Sequence, residues 1–199
     1  MKILFSSALI AGLAAVSFAA DTNVALGKSV IASSGYYNAG SEVFETPNIV
    51  DGNVGDTGTG YDWSFWLTPQ GQNTGYATVD LGGLFTLSSF DLQDTHNRGH
   101  YDRGTKDYHI DLSTDGVNFT TAVTDSFTQS EWSNLTWKTN TLTTPVTARY
   151  VKFVIDSGYG GASAGINELR AMGHEAVPEP ASMAALALGA LGLLKRRRR

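Results

Sequence analysis

The sequence predicts an all-β protein folded as an antiparallel β-sandwich or jelly roll. Three observations predict it. Apolar and polar residues alternate with period two in several short runs, and turn residues recur between them about every 8–12 positions. No run within residues 21–176 keeps a 3.6-residue apolar period for three turns, which leaves no amphipathic helix to cover a sheet.

The elements follow in order. Ala77, Val79 and Leu81 form one alternating strand that is expected to end at Asp80-Leu81-Gly82-Gly83, and Phe90 and Leu92 mark the next. Tyr108, Ile110 and Leu112 then alternate with His109, Asp111 and Ser113. Asp115-Gly116 follows as a hairpin turn, because glycine accepts positive φ without Cβ strain. Val151, Phe153 and Ile155 alternate with Lys152 and Val154 near the end. Successive strand side chains point to opposite faces, so each alternation describes a half-buried strand. Trp66, flanked by Phe65 and Leu67 in a strand-like run, is expected in the core. Residues 21–176 show no repeat or low-complexity tract and are taken as one domain.

Composition narrows the function. The chain has 199 residues, 22 of them glycine, 5 proline and none cysteine, which excludes disulfides, thiolate nucleophiles and cysteine-ligated zinc. Residues 21–176 hold 8 basic and 18 acidic side chains, a balance that repels phosphate backbones and argues against nucleic acid as a partner.

Both ends depart from this pattern. Residues 1–20 place Lys2 before an apolar run from Ile3 to Val16 and a small-x-small site at Ser17-Phe18-Ala19, the order of a secretory signal peptide cleaved after Ala19. Residues 177–199 contain an apolar stretch, Ala181–Leu194, that stops at five cations, Lys195–Arg199. Fourteen residues of helix span about 21 Å against a ~30 Å hydrocarbon core, so transient membrane insertion during export fits better than a permanent anchor. Pro178-Glu179-Pro180, the apolar stretch and the arginine cluster together resemble the PEP-CTERM sorting signal of Gram-negative bacteria. That resemblance implies an exosortase-type processing enzyme as a partner. It also implies a location at the cell surface, outer envelope or extracellular matrix, associated with exopolysaccharide. A plain C-terminal anchor is the alternative.

The middle of the chain has a recognisable order: NVALGKSVIASS (23–34), NIVDGN (48–53), WSFWLTP (63–69), YATVDLGG (76–83), FDLQ (90–93), KDYHIDLSTDGVNF (106–119), ARYVKFVI (148–155) and INELRAMG (166–173). The series resembles the discoidin-type, or coagulation factor C-terminal-type, domain and its bacterial carbohydrate-binding relatives. The resemblance implies a galactose-binding-like β-sandwich that binds with loops at one end and performs no catalysis. It makes a secreted or cell-surface carbohydrate-binding domain the leading function. A structural matrix protein that mediates protein–protein contacts is the alternative, and a hydrolase a more distant one.

Two candidate sites follow. Asn48-Ile49-Val50-Asp51-Gly52-Asn53, with Asp56 and Thr57 close behind, is an oxygen-rich loop of the kind that suits calcium, a hard dication with six to eight oxygen ligands. The resemblance implies one structural calcium ion held by this loop and a late glutamate: Asp51 as carboxylate ligand, Asn53 and Thr57 as neighbours, the Asn48 carbonyl, and Glu168. Read without the resemblance, Asp51 to Asn53 is equally a simple turn.

The second site is the segment Asp94–Thr105, which concentrates His96, Asn97, Arg98, His100, Tyr101 and Arg103 between two strands. Sugars are held by rings stacked on their C–H faces and by charged or amide groups on their hydroxyls. His96, Asn97 and Arg103 are the expected polar contacts, with Trp63, Tyr36 or Tyr159 as stacking partners. Arg103 has an alternative role, locking the loop by pairing with Asp94 or Asp102.

Catalytic signals are weak. Gly161-Ala162-Ser163-Ala164-Gly165 matches G-x-S-x-G, but that elbow needs a strand, turn and helix, and the residues that follow read as a strand. No helical zinc motif and no phosphate loop is present.

Overall fold

The computed structural model describes residues 19–176, so most of the expected signal peptide and the sorting signal at 177–199 lie outside the described residues. Six strands carry the fold: β1 (Ser29–Ser33), β2 (Gly75–Asp94), β3 (Thr105–Ser113), β4 (Thr120–Ser126), β5 (Trp137–Gly158) and β6 (Gly165–Glu175). All pair antiparallel. Two-residue pieces, Thr22–Asn23 and Trp66–Leu67, pair with β6.

The expected break at Gly82 is a bend rather than an end. Strand β2 runs on for 20 residues. Gly82 takes φ +82 and its amide donates to Asp80 Oδ1 at 2.8 Å, while β5 shifts register opposite it between Ala148 and Tyr150. The bend divides one ladder into two layers, as β-bulges and glycine kinks commonly do. Before it, β2 pairs with β1, the second half of β5 pairs with β3, and β3 pairs with β4. After it, β2 pairs with β6 on one side and the first half of β5 on the other.

The core lies between the layers. Ala77, Val79, Tyr108, Ile110, Val151 and Phe153 face Leu87, Phe90, Leu92, Leu169 and Ala171, and all are fully buried. Each large side chain so buried contributes roughly 1.5–3 kcal/mol. The alternation read from the sequence thus identifies the inward face of β2, β3 and the second half of β5. Trp66 is buried as expected, its indole N–H donating to the Gly35 carbonyl at 2.9 Å.

Among the described residues the expectation of a helix-free domain fails at two short 3-10 turns, Thr46–Val50 and Asn97–Gly99, and at one α-helix. Gln129–Asn134 form a single short helix, α1. Thr128 Oγ1 accepts the Glu131 amide at 3.2 Å, Glu131 Oε2 accepts the Thr128 amide at 2.7 Å, and Leu135 at φ +51 closes the other end. This reciprocal capping holds a helix too short to show a periodic signal. Its effect is to bury Trp132.

Candidate functional site at the pole of the sandwich

The loop between β2 and β3 starts from Asp94, the last residue of β2. Its Oδ1 accepts the amides of Thr95 at 2.8 Å and Thr105 at 3.0 Å, which closes the loop at its base. Burial pushes the Asp94 carboxyl well above its ordinary range, and its Oδ2 has no hydrogen-bond partner.

The loop's upper half is shaped by Asp56. This buried carboxylate accepts Thr95 Oγ1 at 2.6 Å, Asn167 Nδ2 at 2.8 Å, and the backbone amides of His96 at 3.0 Å and Arg98 at 3.1 Å. His96 Nδ1 lies 3.0 Å from the same carboxylate. Five non-glycine residues among those described adopt left-handed φ, and four belong to this junction: Asp56, Asn97, Arg98 and Tyr101. Backbone held in sparsely populated regions persists only where surrounding contacts over-determine it, and it concentrates at binding sites.

Rings back the loop. Tyr101 lies 5.0 Å from the His96 ring and meets Trp132 edge-on at 5.8 Å, and Trp132 stacks on Tyr159 at 4.5 Å. Tyr159 is fixed by its hydroxyl, which donates to the Phe127 carbonyl at 2.8 Å. Gly104 makes this packing possible, since a Cβ there would lie 2.0 Å from the Trp132 ring. Tyr101 is the exposed ring of the group at 54 %.

The structure therefore brings together four of the six expected ligand residues, His96, Asn97, Arg103 and Tyr159. Asn97 is buried, with its amide donating to Thr95 Oγ1 at 3.0 Å. Arg103 Nη1 pairs with Asp102 at 3.3 Å, one of the two locking partners expected, and Gly161 N–H donates to the Asp102 carbonyl at 2.9 Å, joining the loop to that of Tyr159. Tyr36 stands apart, in a groove lined by Val30, Ser33, Glu45, Thr46 and Pro47.

Trp63 requires correction. It is only 5 % exposed, packed against Phe44 and Phe65 in a satellite core, and the Arg98 guanidinium covers its ring at 4.2 Å. A ring so enclosed offers no face to a sugar. Arg98 itself pairs with Glu42 at 3.3 Å. Sequence reasoning named Asp56 beside the ion loop and Tyr101 in the ligand segment without giving them the roles of organiser and exposed ring, and it passed over Trp132 behind them. Thr128-Gln129-Ser130-Glu131 was the one available signal for Trp132, because it spells a capping box just before it.

Of the residues expected around an ion, Glu168 and the Asp51–Asn53 turn meet. Glu168 is fully buried, and its Oε2 accepts the Gly52 amide at 3.3 Å while Oε1 has no partner. Burial pushes its carboxyl up to about 8; the Gly52 amide opposes the rise and the Asp51 carboxylate adds to it. Asp51 accepts the Asn53 amide at 2.7 Å and Asn53 Nδ2 at 3.0 Å. An orphaned buried carboxylate oxygen beside a second carboxylate suits a hard dication, although the Gly52 amide and the Arg170 side chain border the same pocket. Thr57 Oγ1 is engaged elsewhere, donating to the Val54 carbonyl at 3.3 Å, while Asn48, expected to offer its carbonyl, is anchored by Nδ2 donating to the carbonyls of Trp63 at 2.6 Å and Phe65 at 3.2 Å. Among the described residues no group of three or more acidic or histidine side chains is poised for a metal, so backbone carbonyls would have to complete the shell.

Ser163 is buried, and the Gly161–Gly165 segment leads into strand β6 rather than a helix.

Solved structures share this architecture. The C-terminal domain of a chitobiase from Bacteroides fragilis aligns with a TM-score of 0.61 at 19% identity, covering 79% of this chain and 99% of that one. A family 32 carbohydrate-binding module of NanJ from Clostridium perfringens, solved with galactose, aligns with a TM-score of 0.57 at 19% identity, covering 77% and 98%. A chitosan-binding module of a chitosanase/glucanase from Paenibacillus sp. IK-5 gives 0.57 at 23% identity, covering 75% and 97%. Likenesses at such identity establish the fold. No curated protein sequence matches the chain. Residues 176–199 match the PEP-CTERM protein-sorting motif. Residues 29–169 match the F5/8 type C domain model, and the chain belongs to that family.

Proposed function

We propose that this protein is an exported, non-catalytic carbohydrate-binding domain that grips a glycan with the loop between β2 and β3. The observation that carries this reading is the Asp56-held loop with its three left-handed residues, Asn97, Arg98 and Tyr101, which sets His96 and the exposed Tyr101 ring side by side at one pole. A ring for the sugar's C–H face beside an imidazole for its hydroxyls is the chemistry that glycan recognition requires. The structurally similar galactose-bound and chitosan-binding modules support it. Asp51 and Glu168 hold a structural calcium ion in this reading. The C-terminal motif directs the domain to the cell surface after exosortase-type processing, where it associates with exopolysaccharide.

A glycan array probed with the purified protein, carrying neutral and amino-sugar polymers, tests the proposal. Retention that falls in His96→Ala and Tyr101→Ala but persists in Tyr36→Ala is expected. Retention by no glycan, or retention indifferent to both pole substitutions, would overturn it.

A further inference from the structure

Strand β6 slips by one residue between Ile166 and Glu168 against β2, and the consequence is unusual for a strand: Ile166, Asn167, Glu168 and Leu169 are all fully buried in succession. In a regular strand neighbouring side chains point to opposite faces, whereas a bulge re-aims one of them. Here it lets two consecutive polar residues hold the two ends of one loop. Glu168 Oε2 accepts the amide of Gly52, and Asn167 Nδ2 donates to Asp56 at 2.8 Å. Asp56 in turn accepts from Thr95, His96 and Arg98 of the ligand loop. The 51–57 segment thus runs from the acidic pair Asp51 and Glu168 to the carboxylate that moulds the other loop.

We infer that Asp56 is a positioning residue through which a divalent cation at Asp51 and Glu168 tightens the 95–101 ligand loop. The inference rests on the proposed ion and ligand sites and adds a linkage between them. A cation drawing Asp51 and Glu168 together restrains the 51–57 segment. That restraint lowers the ordering cost of holding Asp56 at φ +53, the conformation in which its carboxylate reaches the amides of His96 and Arg98. The coupling is reciprocal: a glycan on the loop must tighten cation binding by the same factor.

Hydrogen exchange on the full protein, with calcium chloride as the probe, tests this. In the wild type, calcium should raise protection of the His96 and Arg98 amides by about fivefold or more. Asp56→Asn should still release heat on calcium titration but lose that response. Thr95→Val, which keeps the carboxylate and removes one of its donors, should give a reduced response and serves if Asp56→Asn does not fold. Calcium heat without any change in loop protection, or an undiminished response in both variants, would overturn the coupling alone. Absence of calcium heat in the wild type would overturn the ion site and the coupling together, leaving glycan retention on the array as a separate result.

Discussion

Asp56 and Glu168 close the two ends of the same short loop, and both are buried carboxylates, yet they are satisfied very differently. Asp56 accepts four hydrogen bonds from two separate segments, the 95–98 loop and strand β6. Glu168 accepts one, and its second oxygen meets no donor. A buried charge is stable when donors surround it, and a half-satisfied one is held near neutrality by burial. The comparison teaches that burial alone does not assign a role. The saturated carboxylate organises architecture, while the under-satisfied one has the chemistry of a ligand.

Four measurements break or sharpen that contrast. The largest effect belongs to Asp56→Ala, which strands the buried donors of Thr95 and Asn167 and frees the amides of His96 and Arg98. It should cost about 3–5 kcal/mol in urea unfolding. Glu168→Gln, made in the same background without calcium, should cost little or stabilise. Equal losses in the two variants would erase the distinction drawn here.

Next is the pH response. Glu168 titrates near 4.5 in its ordinary state and near 8 when folded, so the folded protein binds the proton more tightly. Its contribution to stability is fully present below about pH 4.5 and disappears as pH rises through 8, on the order of 5 kcal/mol. Burial shifts Asp94 in the same direction. Calcium should flatten this decline, because the ion binds the ionised pair. Melting curves from pH 4.5 to 8.5 with and without calcium would record it, and a metal-free stability that climbs over this range would contradict the state assigned to Glu168.

A smaller change is expected at Gly104→Ala, where the new Cβ displaces Trp132 from the rings behind the ligand loop. Overpacking of this kind costs roughly 1–3 kcal/mol. Trp132 should also become more accessible to acrylamide quenching. The smallest effect is that of Arg98→Ala, which uncovers Trp63. Loss of a partly exposed cation–π contact amounts to about 0.5–1 kcal/mol. Glycan retention should survive this substitution, since the enclosed Trp63 ring belongs to the satellite core.

The layered fold was legible because burial in a strand is a local, period-two property. Tyr108, Ile110 and Leu112, or Val151, Phe153 and Ile155, reveal their inward face without reference to any distant residue. The Asp115-Gly116 turn was legible for the same reason, with Asp115 Oδ1 accepting the amides of Val117 and Asn118 at 2.8 Å each. Trp63 shows where local reading stops. An aromatic in a polar loop looks available until Phe44 and Arg98, from other segments, enclose it.

Alternation, turn residues and motif order along the chain reveal the sandwich, the family resemblance and the loops rich in chemistry. That Asp56 meets Thr95 and Asn167, that Trp132 backs Tyr101, and that a bulge turns Asn167 and Glu168 toward one loop follows only from the folded chain. These contacts join residues far apart in the chain. Their existence depends on how two bent strands and their connecting loops close on each other, a geometry that no local pattern encodes.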